Sequence, residues 1–323
     1  MRDHLASSTA PELVLLFPGQ GSQHYQMARE LFDADPFFRD LMTSIDAGFA
    51  AREGVSLLSH LYGSQPLRVP LDDIRLSHPL LVLVEYCLAC MLRQRGVRAA
   101  LAIGCSAGEF AAHAFAGRIS IDTALDMMAR QAQWACAHVE EGFMLAVMAP
   151  RSWCEADPHV CALASVAGVG MASATVLSGA RSQLPALEAL LRERGVASHV
   201  LPVRVPFHGA LVEPLRGHWM QRFGQLAPPA AALPLLGQHS DEVAYAEGLW
   251  RVIRQPFDFP AQLARLDPER RYLLVDVGPG GTLANWLRHG GCTSTQWTAL
   301  GLLSPWGGDL RRLQSLLDRA PTP

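Results

Sequence analysis

An α/β protein with a small subdomain inserted into a larger one is the fold class that the sequence predicts, on three observations. The first is Leu101-Ala-Ile-Gly-Cys-Ser-Ala-Gly-Glu-Phe110, where a short apolar run ends in Gly-x-Ser-x-Gly and passes directly into a helix-compatible segment, Glu109 to Ala116. The second is a pair of buried-strand patterns, Leu13 to Phe17 and Arg271 to Val277, each running into a Gly-rich loop. The third is the order of patterns between them, β-α-β-β-α-β over roughly residues 134–206, which is the ferredoxin-like arrangement.

In chain order, Leu13-Val-Leu-Leu-Phe-Pro-Gly-Gln-Gly-Ser-Gln23 reads as a strand and loop followed by a helix through Met27 and Leu31. The loop lacks the lysine of a P-loop and the GxGxxG spacing, so phosphate binding is a weak reading. Its other use is to aim the backbone N–H of Gln20 at an oxyanion. Ser77-His-Pro-Leu80 is expected to open a long apolar helix with a serine cap and a proline in the first turn. Ile121 to Cys136 forms a further helix. Within the insert, strands are expected at Phe143–Met148, Cys161–Val169, Thr175–Ser178 and Ser198–Arg204, with helices at Arg151–Pro158 and Ser182–Gly195. The larger subdomain then comprises 1–133 and 207–323.

Composition narrows the function classes. At 323 residues the chain can bury a large core; half of it is hydrophobic and 18% is charged, which suits a compact enzyme. A formal net charge of −3 gives no reason to expect nucleic acid. Seven scattered cysteines argue against a disulfide framework and for a reducing, cytoplasmic setting. Cys87-Leu-Ala-Cys90 lies in an apolar helical run and reads as core packing rather than metal or redox work. No metal-ligand cluster, signal peptide or membrane-length run is expected, and the Pro- and Ala-rich tail reads as frayed.

The elbow at Ser106 carries the chemistry. A sharp strand-to-helix turn lifts the serine out of the backbone, and Gly104 and Gly108 stand where side chains would collide. The N–H of Ala107 then faces a reacting carbonyl at a helix N-terminus, where negative charge is favoured. A serine hydroxyl needs a base. Of twelve histidines, His208 stands out because it ends a strand, follows Pro206-Phe207 and precedes Gly209-Ala-Leu-Val-Glu-Pro214.

Phe17-Pro-Gly-Gln-Gly-Ser-Gln23, Gly104-Cys-Ser-Ala-Gly-Glu109, Val205-Pro-Phe-His208 and Asp276-Val-Gly-Pro-Gly280, in this order and at these separations, resemble the malonyl-CoA:acyl-carrier-protein transacylase family. That family includes the acyltransferases of polyketide synthases. The resemblance covers about residues 12–315 and implies an α/β-hydrolase-like large subdomain with a ferredoxin-like insert. It implies that Ser106 carries the acyl group, that His208 is general base and then acid, and that Gln20 and Ala107 form the oxyanion hole. A main-chain carbonyl orients the histidine in this family, and matching the Gln255-Pro256 step puts it at Val252. Asp276 reads as structural.

Departures from the family are informative. The arginine that pairs with a malonyl carboxylate lies 25 positions after the serine, where this chain has Gln131. Arg130 is adjacent, but one helical step turns its side chain by about 100°. The alternative is a one-residue shift that lets Arg130 serve. A neutral amide cannot offset the burial of a carboxylate, so malonyl should bind poorly. Cys105 replaces the usual histidine before the serine, and Gly170 stands where an asparagine is usual; with Phe207 they are expected to shape the pocket.

Gly278-Pro-Gly-Gly-Thr-Leu-Ala-Asn-Trp-Leu-Arg288, Leu302-Leu-Ser-Pro-Trp-Gly307, Ser77-His-Pro79 and Val84-Glu-Tyr86 look like the free-standing acyltransferases and acyl hydrolases of trans-acyltransferase polyketide pathways. Members of that group lacking the malonyl arginine are proofreading hydrolases. The expected function is therefore hydrolysis of acyl-carrier-protein thioesters. The alternatives are a transferase loading a non-malonyl unit and, from another class, a catalytically silent docking module. The expected partner is an acyl carrier protein, with Arg93, Arg95, Arg98 and the arginines at 311–312 as docking candidates. The substrate would arrive on phosphopantetheine or CoA, no bound cofactor is required, and a monomer is expected.

Overall fold

Leu13 to Phe17, an unbroken buried apolar run, forms the middle strand of a parallel sheet in the computed structural model, which describes residues 10–64, 69–237, 244–290 and 295–319. The region that bears on a signal peptide, residues 1–9, and the last four residues of the tail lie outside the described residues. In chain order the described strands are β1 (Glu12–Phe17), β2 (Leu101–Gly104), β3 (Gly142–Val147), β4 (Ser165–Met171) and β5 (Ala174–Ala180). They continue with β6 (Ser198–Val200), β7 (Leu235–Leu236), β8 (Phe257–Asp258), β9 (Tyr272–Asp276) and β10 (Trp297–Gly301).

Two five-stranded sheets result. The first has the order β10-β9-β1-β2-β7 and is parallel throughout. Buried on both faces by helices, its inner strands β9, β1 and β2 read as continuous apolar runs rather than alternating ones. The second has the order β6-β3-β5-β4-β8, antiparallel except where β8 joins β4. β3 to β6 with their helices give the anticipated β-α-β-β-α-β order. Along β3 the pleat alternates between two cores: Phe143, Leu145 and Val147 face the insert's own helices, whereas Met144 packs into the main core.

Several element boundaries differ from expectation, the strand expected at Ser198–Arg204 ending at Val200 among them, and two differ for local reasons. The long apolar helix begins at Ile74, capped by Asp73, whose carboxylate accepts from the Arg75 N–H; Ser77 and Pro79 lie inside it. The stretch expected as one strand from Cys161 begins as a helix, Pro158–Leu163, with β4 starting at Ser165. Asp157 caps that helix by accepting from His159 N–H, and Pro158 sits in its first turn.

The helix Ile74–Gln94 is the spine of the larger core. It packs against the helices Pro36–Glu53, Gly108–Phe115 and Ile121–His138. Its 21 residues are long and apolar enough to cross a membrane, contrary to the expectation that no run reaches that length. Most of its apolar length is buried inside the protein instead. Cys87 and Cys90 sit in this helix as buried free thiols, pushed to higher pKa by burial.

Glu85, on the same helix, is wholly buried and neither carboxylate oxygen has a hydrogen-bond partner. Burial, aided by nearby Asp276, pushes this carboxyl well above the usual range. The unfolded chain ionises Glu85 above pH about 4.5 while the folded chain holds the proton, so rising pH favours unfolding by about 1.4 kcal/mol per unit until the folded group ionises. Glu85→Gln removes this term. Thermal melts should show the variant gaining on the wild type as pH rises from 4.5 to 7, with the difference becoming constant below pH 4; a difference independent of pH throughout would contradict a neutral Glu85.

Candidate active site

The carboxyl ends of β9, β1 and β2 lie side by side, and the chain leaves β1 toward β2 on one side and returns through β9 on the other. Such a reversal in a parallel sheet opens a crevice at the strand ends. Into it project the Pro18–Gly21 loop after β1 and the turn at Ser106 after β2.

Ser106 has φ of 53°, a left-handed conformation that costs a non-glycine residue about 1–2 kcal/mol. Two glycines make the turn possible. A Cβ on Gly104 would lie 2.5 Å from Glu109 Cα, and one on Gly108 would lie 2.1 Å from the Phe17 carbonyl oxygen. The loops interlock further: a Cβ on Gly278 would meet Pro18 Cγ at 2.0 Å. Asp276 ties that loop down, its carboxylate accepting from Gly278 N–H (2.8 Å) and Ala284 N–H (3.0 Å). Both oxygens face backbone donors rather than His208, so Asp276 is a structural group. Burial raises its pKa to about 6.

His208 is also left-handed, with φ of 62°, and is buried. Its Nε2 lies 2.7 Å from Ser106 Oγ and its Nδ1 lies 2.9 Å from the Gln255 carbonyl oxygen. A carbonyl can only accept, so Nδ1 carries the hydrogen and Nε2 is left as the acceptor for the serine hydroxyl. The orienting carbonyl is that of Gln255, which corrects the assignment to Val252. Val252 lies within the helix Tyr245–Arg254, whose carbonyls run along the axis. Gln255 precedes a proline, which drives it out of the helical region to φ −95°, ψ 151° and swings its carbonyl toward the ring. The backbone N–H of His208 donates to Ile253 O at 3.0 Å, and Phe257 meets the imidazole edge to face at 5.4 Å.

Gln20 and Ala107 both border the cavity beside Ser106. Gln20 is pinned from the side, its Nε2 donating to Ser77 Oγ at 3.0 Å. Ala107 stands at the N-cap position of the helix Gly108–Phe115, whose positive end faces the site. This arrangement suits stabilisation of an oxyanion by main-chain N–H groups.

The cavity itself has a volume of about 150 Å³. Cys105, Phe207 and Gln131 line it, and so does the Val252 side chain. Cys105 is buried and its thiol is pushed far up, so it is a small neutral wall and not a second nucleophile. Gly170 does not reach the cavity. A Cβ there would meet the Trp286 ring at 2.8 Å, so this glycine makes room for Trp286, which forms the wall instead. Trp286 stacks on Phe257 at 9° and 6.3 Å, and Phe257 in turn occupies the space left by Gly168. Sequence reasoning also missed His78, Met144 and Val176 in the lining; the strand alternation could have found the last two.

Gln131 is buried in the cavity wall, whereas Arg130 points away. Arg130 is held by Glu53, by Asp126 at 3.1 Å and by Gln133 at 2.6 Å. No lysine or arginine is among the residues lining the cavity. Of the surface arginines considered for docking, Arg95 is bound to Asp35 and Arg312 to Asp309. Among the described residues no group of acidic, histidine or cysteine side chains is arranged to hold a metal ion.

The family model described as "Acyl transferase domain" matches residues 14–314. The polyketide biosynthesis acyltransferase homolog BaeD of Bacillus velezensis is 31% identical over 315 residues, covering 96% of this chain and 97% of that one. The homolog PksD of Bacillus subtilis is 27% identical over 308 residues, with 94% and 95% covered. Among solved structures, a loading acyltransferase from the avermectin modular polyketide synthase superposes with a TM-score of 0.81 at 27% identity, covering 95% of this chain and 99% of that one.

Proposed function

The chain belongs to the acyl transferase domain family, and from that premise we propose that it is a Ser106/His208 acyl-enzyme that hydrolyses acyl-carrier-protein thioesters, clearing neutral acyl groups from carriers of polyketide biosynthesis. Ser106 Oγ attacks the thioester carbonyl as His208 Nε2 takes its proton. The new ester C–O bond forms, the C–S bond breaks, and the proton passes from His208 to the departing phosphopantetheine thiolate. Water, deprotonated by the same nitrogen, then releases the acid and frees Ser106. The N–H groups of Gln20 and Ala107 hold the oxyanion in both steps.

One observation carries the reading: Gln131 in the cavity wall, with Arg130 tied to Glu53 and Asp126. A site without a cation offers nothing to offset burial of a malonyl carboxylate. A site that refuses extender units but keeps a nucleophile and base suits removal of neutral acyl chains. A second reading, loading of a neutral starter unit, uses the same acyl-enzyme and is favoured by the likeness to the avermectin loading acyltransferase.

Offering butyryl- and malonyl-loaded carrier protein in parallel and following the acyl group by mass spectrometry tests the proposal. Butyryl should be lost as free acid at least tenfold faster than malonyl. Gln131→Arg should raise malonyl turnover relative to butyryl by about tenfold or more, because a cation now faces the cavity. Efficient malonyl turnover by the wild type would overturn the proposal.

A further inference from the structure

The loop that follows β1 borders Ser106 but has no ladder of its own to hold it. Among the described residues, no backbone-to-backbone hydrogen bond of ordinary geometry involves residues 18–25. The loop nevertheless touches the nucleophile: a Cβ on Gly19 would lie 2.7 Å from Ser106 Cβ and 3.2 Å from its Oγ. Gln20, the next residue, lines the cavity. Any drift of this loop therefore moves the Gln20 N–H relative to an acyl group on Ser106.

Side chains hold it instead. Gln23 is buried and uses both ends of its amide. Its Oε1 accepts from the Gly21 N–H at 2.7 Å, and its Nε2 donates to Leu71 O at 3.3 Å and to Pro202 O at 3.2 Å. Leu71 lies just before the helix Ile74–Gln94, and Pro202 lies on the segment that leads to His208. Ser77, wholly buried on that helix, accepts from Gln20 Nε2 through its Oγ at 3.0 Å. The loop is thus fastened at Gln20 by one hydroxyl and at Gly21 by one amide that also reaches the base-bearing segment. Neither Gln23 nor Ser77 lines the cavity, so neither touches the acyl group.

An oxyanion donor acts only where it is held about 2.7–3.1 Å from the position of the developing charge. A displacement near 1 Å costs on the order of a hundredfold in rate. We infer that Gln23 and Ser77 are positioning residues for acyl transfer to Ser106: together they fix the loop so that the Gln20 N–H meets the oxyanion. This rests on the acyl-enzyme reading above, in which that N–H is one of the two donors. Because Gln23 also joins the loop to the segment bearing His208, its loss costs more than that of Ser77.

The test combines kinetics on butyryl-loaded carrier protein with two inhibitors, the trifluoromethyl ketone analogue of the butyryl thioester and a thioether counterpart that has no carbonyl. Ser106 Oγ bonds to the ketone carbon, the carbonyl oxygen takes up the electron pair, and His208 takes the serine proton, so ketone affinity reads the oxyanion hole. Ser77→Ala should lower kcat about tenfold and Gln23→Met about a hundredfold, with KM within about twofold of the wild type. Ketone affinity should fall by the same factors while thioether affinity stays put. Ser77→Thr, which keeps the hydroxyl, should restore both kcat and ketone affinity. An unchanged kcat in either variant, or a loss shared equally by ketone and thioether, overturns the inference. Should Gln23→Met not accumulate, Ser77→Ala decides alone. Butyryl release by the wild type, with Ser106→Ala as control, reads the underlying proposal separately. Absence of Ser106-dependent release sinks both, whereas its presence with wild-type kcat in the variants sinks only the positioning role.

Discussion

Ser106→Ala should abolish acyl release and leave no covalent acyl adduct on the protein by intact mass. The expected loss in kcat is about 10⁴-fold or more, the scale seen when a serine nucleophile is removed from a base-assisted site. The fold should survive, because the side chain removed is one hydroxyl that borders the cavity, at a turn whose backbone is held by Gly104, Gly108 and the β1 loop. The Cys105 N–H donates to Phe17 O and the Gly108 N–H to Cys105 O, and neither bond involves the serine side chain. His208→Ala should lose activity on a similar scale. A further distinction follows from the 2.7 Å contact between Oγ and Nε2. With the base removed, any residual acyl-enzyme should accumulate slowly and also break down slowly, since the same nitrogen serves both steps. Full activity in Ser106→Ala would remove the acyl-enzyme from the account.

Gly108→Ala should have the largest effect on folding. The added Cβ would lie 2.1 Å from Phe17 O and 2.3 Å from Pro18 O, both backbone atoms of the central strand end. No side-chain rotation relieves such a contact, so β1 and the elbow helix must separate. A cost of about 4 kcal/mol is expected, a large share of the 5–15 kcal/mol that holds a typical domain together. Thermal melts should fall by roughly 6 °C, or the protein should fail to accumulate in soluble form. Gly217→Ala is the control: nothing lies within 4 Å of a Cβ there, and it sits in the helix Arg216–Phe223. That substitution should be neutral or stabilise by about 0.5–1 kcal/mol. Equal melts for the two variants would contradict the close strand-to-helix approach.

These effects trace how far the chain could be read from residues alone. Gly104, Ser106 and Gly108 announced their geometry because only glycine tolerates contacts near 2 Å to backbone, and a left-handed serine needs both neighbours. The insert was legible through alternation along β3 and β5, where each face meets a different core. The orienting carbonyl was not. Its identity depends on where the helix Tyr245–Arg254 releases the chain, and the proline at 256 was the signal that Gln255 had to be extended. The role of Gly170 was hidden for a different reason. A glycine's neighbour is a tertiary fact, and here it is Trp286, more than a hundred positions away in sequence. In the sequence His78 shows only as part of a helix start. The cap at Asp73 moved that start three residues earlier than Ser77 and turned His78 inward to the cavity.

Gln131 joins the sequence and the proposed chemistry. Register from Ser106 placed it on one helix face and Arg130 on another, and the ion pairs of Arg130 with Glu53 and Asp126 hold the two apart. On the proposed function it is the neutral cavity, and not the nucleophile, that would set this chain apart from an extender-loading enzyme.

The most direct test of that account is the fate of the acyl-enzyme. Butyryl-Ser106 is formed in a rapid mix with a butyryl thioester, then chased with unloaded holo carrier protein, and free acid and butyryl-carrier are counted by mass spectrometry. The account predicts that free butyrate dominates even at saturating carrier, with little dependence of its rate on carrier concentration. Transfer of most of the butyryl to the second carrier, rising with carrier concentration, would contradict hydrolysis and make the protein a loading transferase.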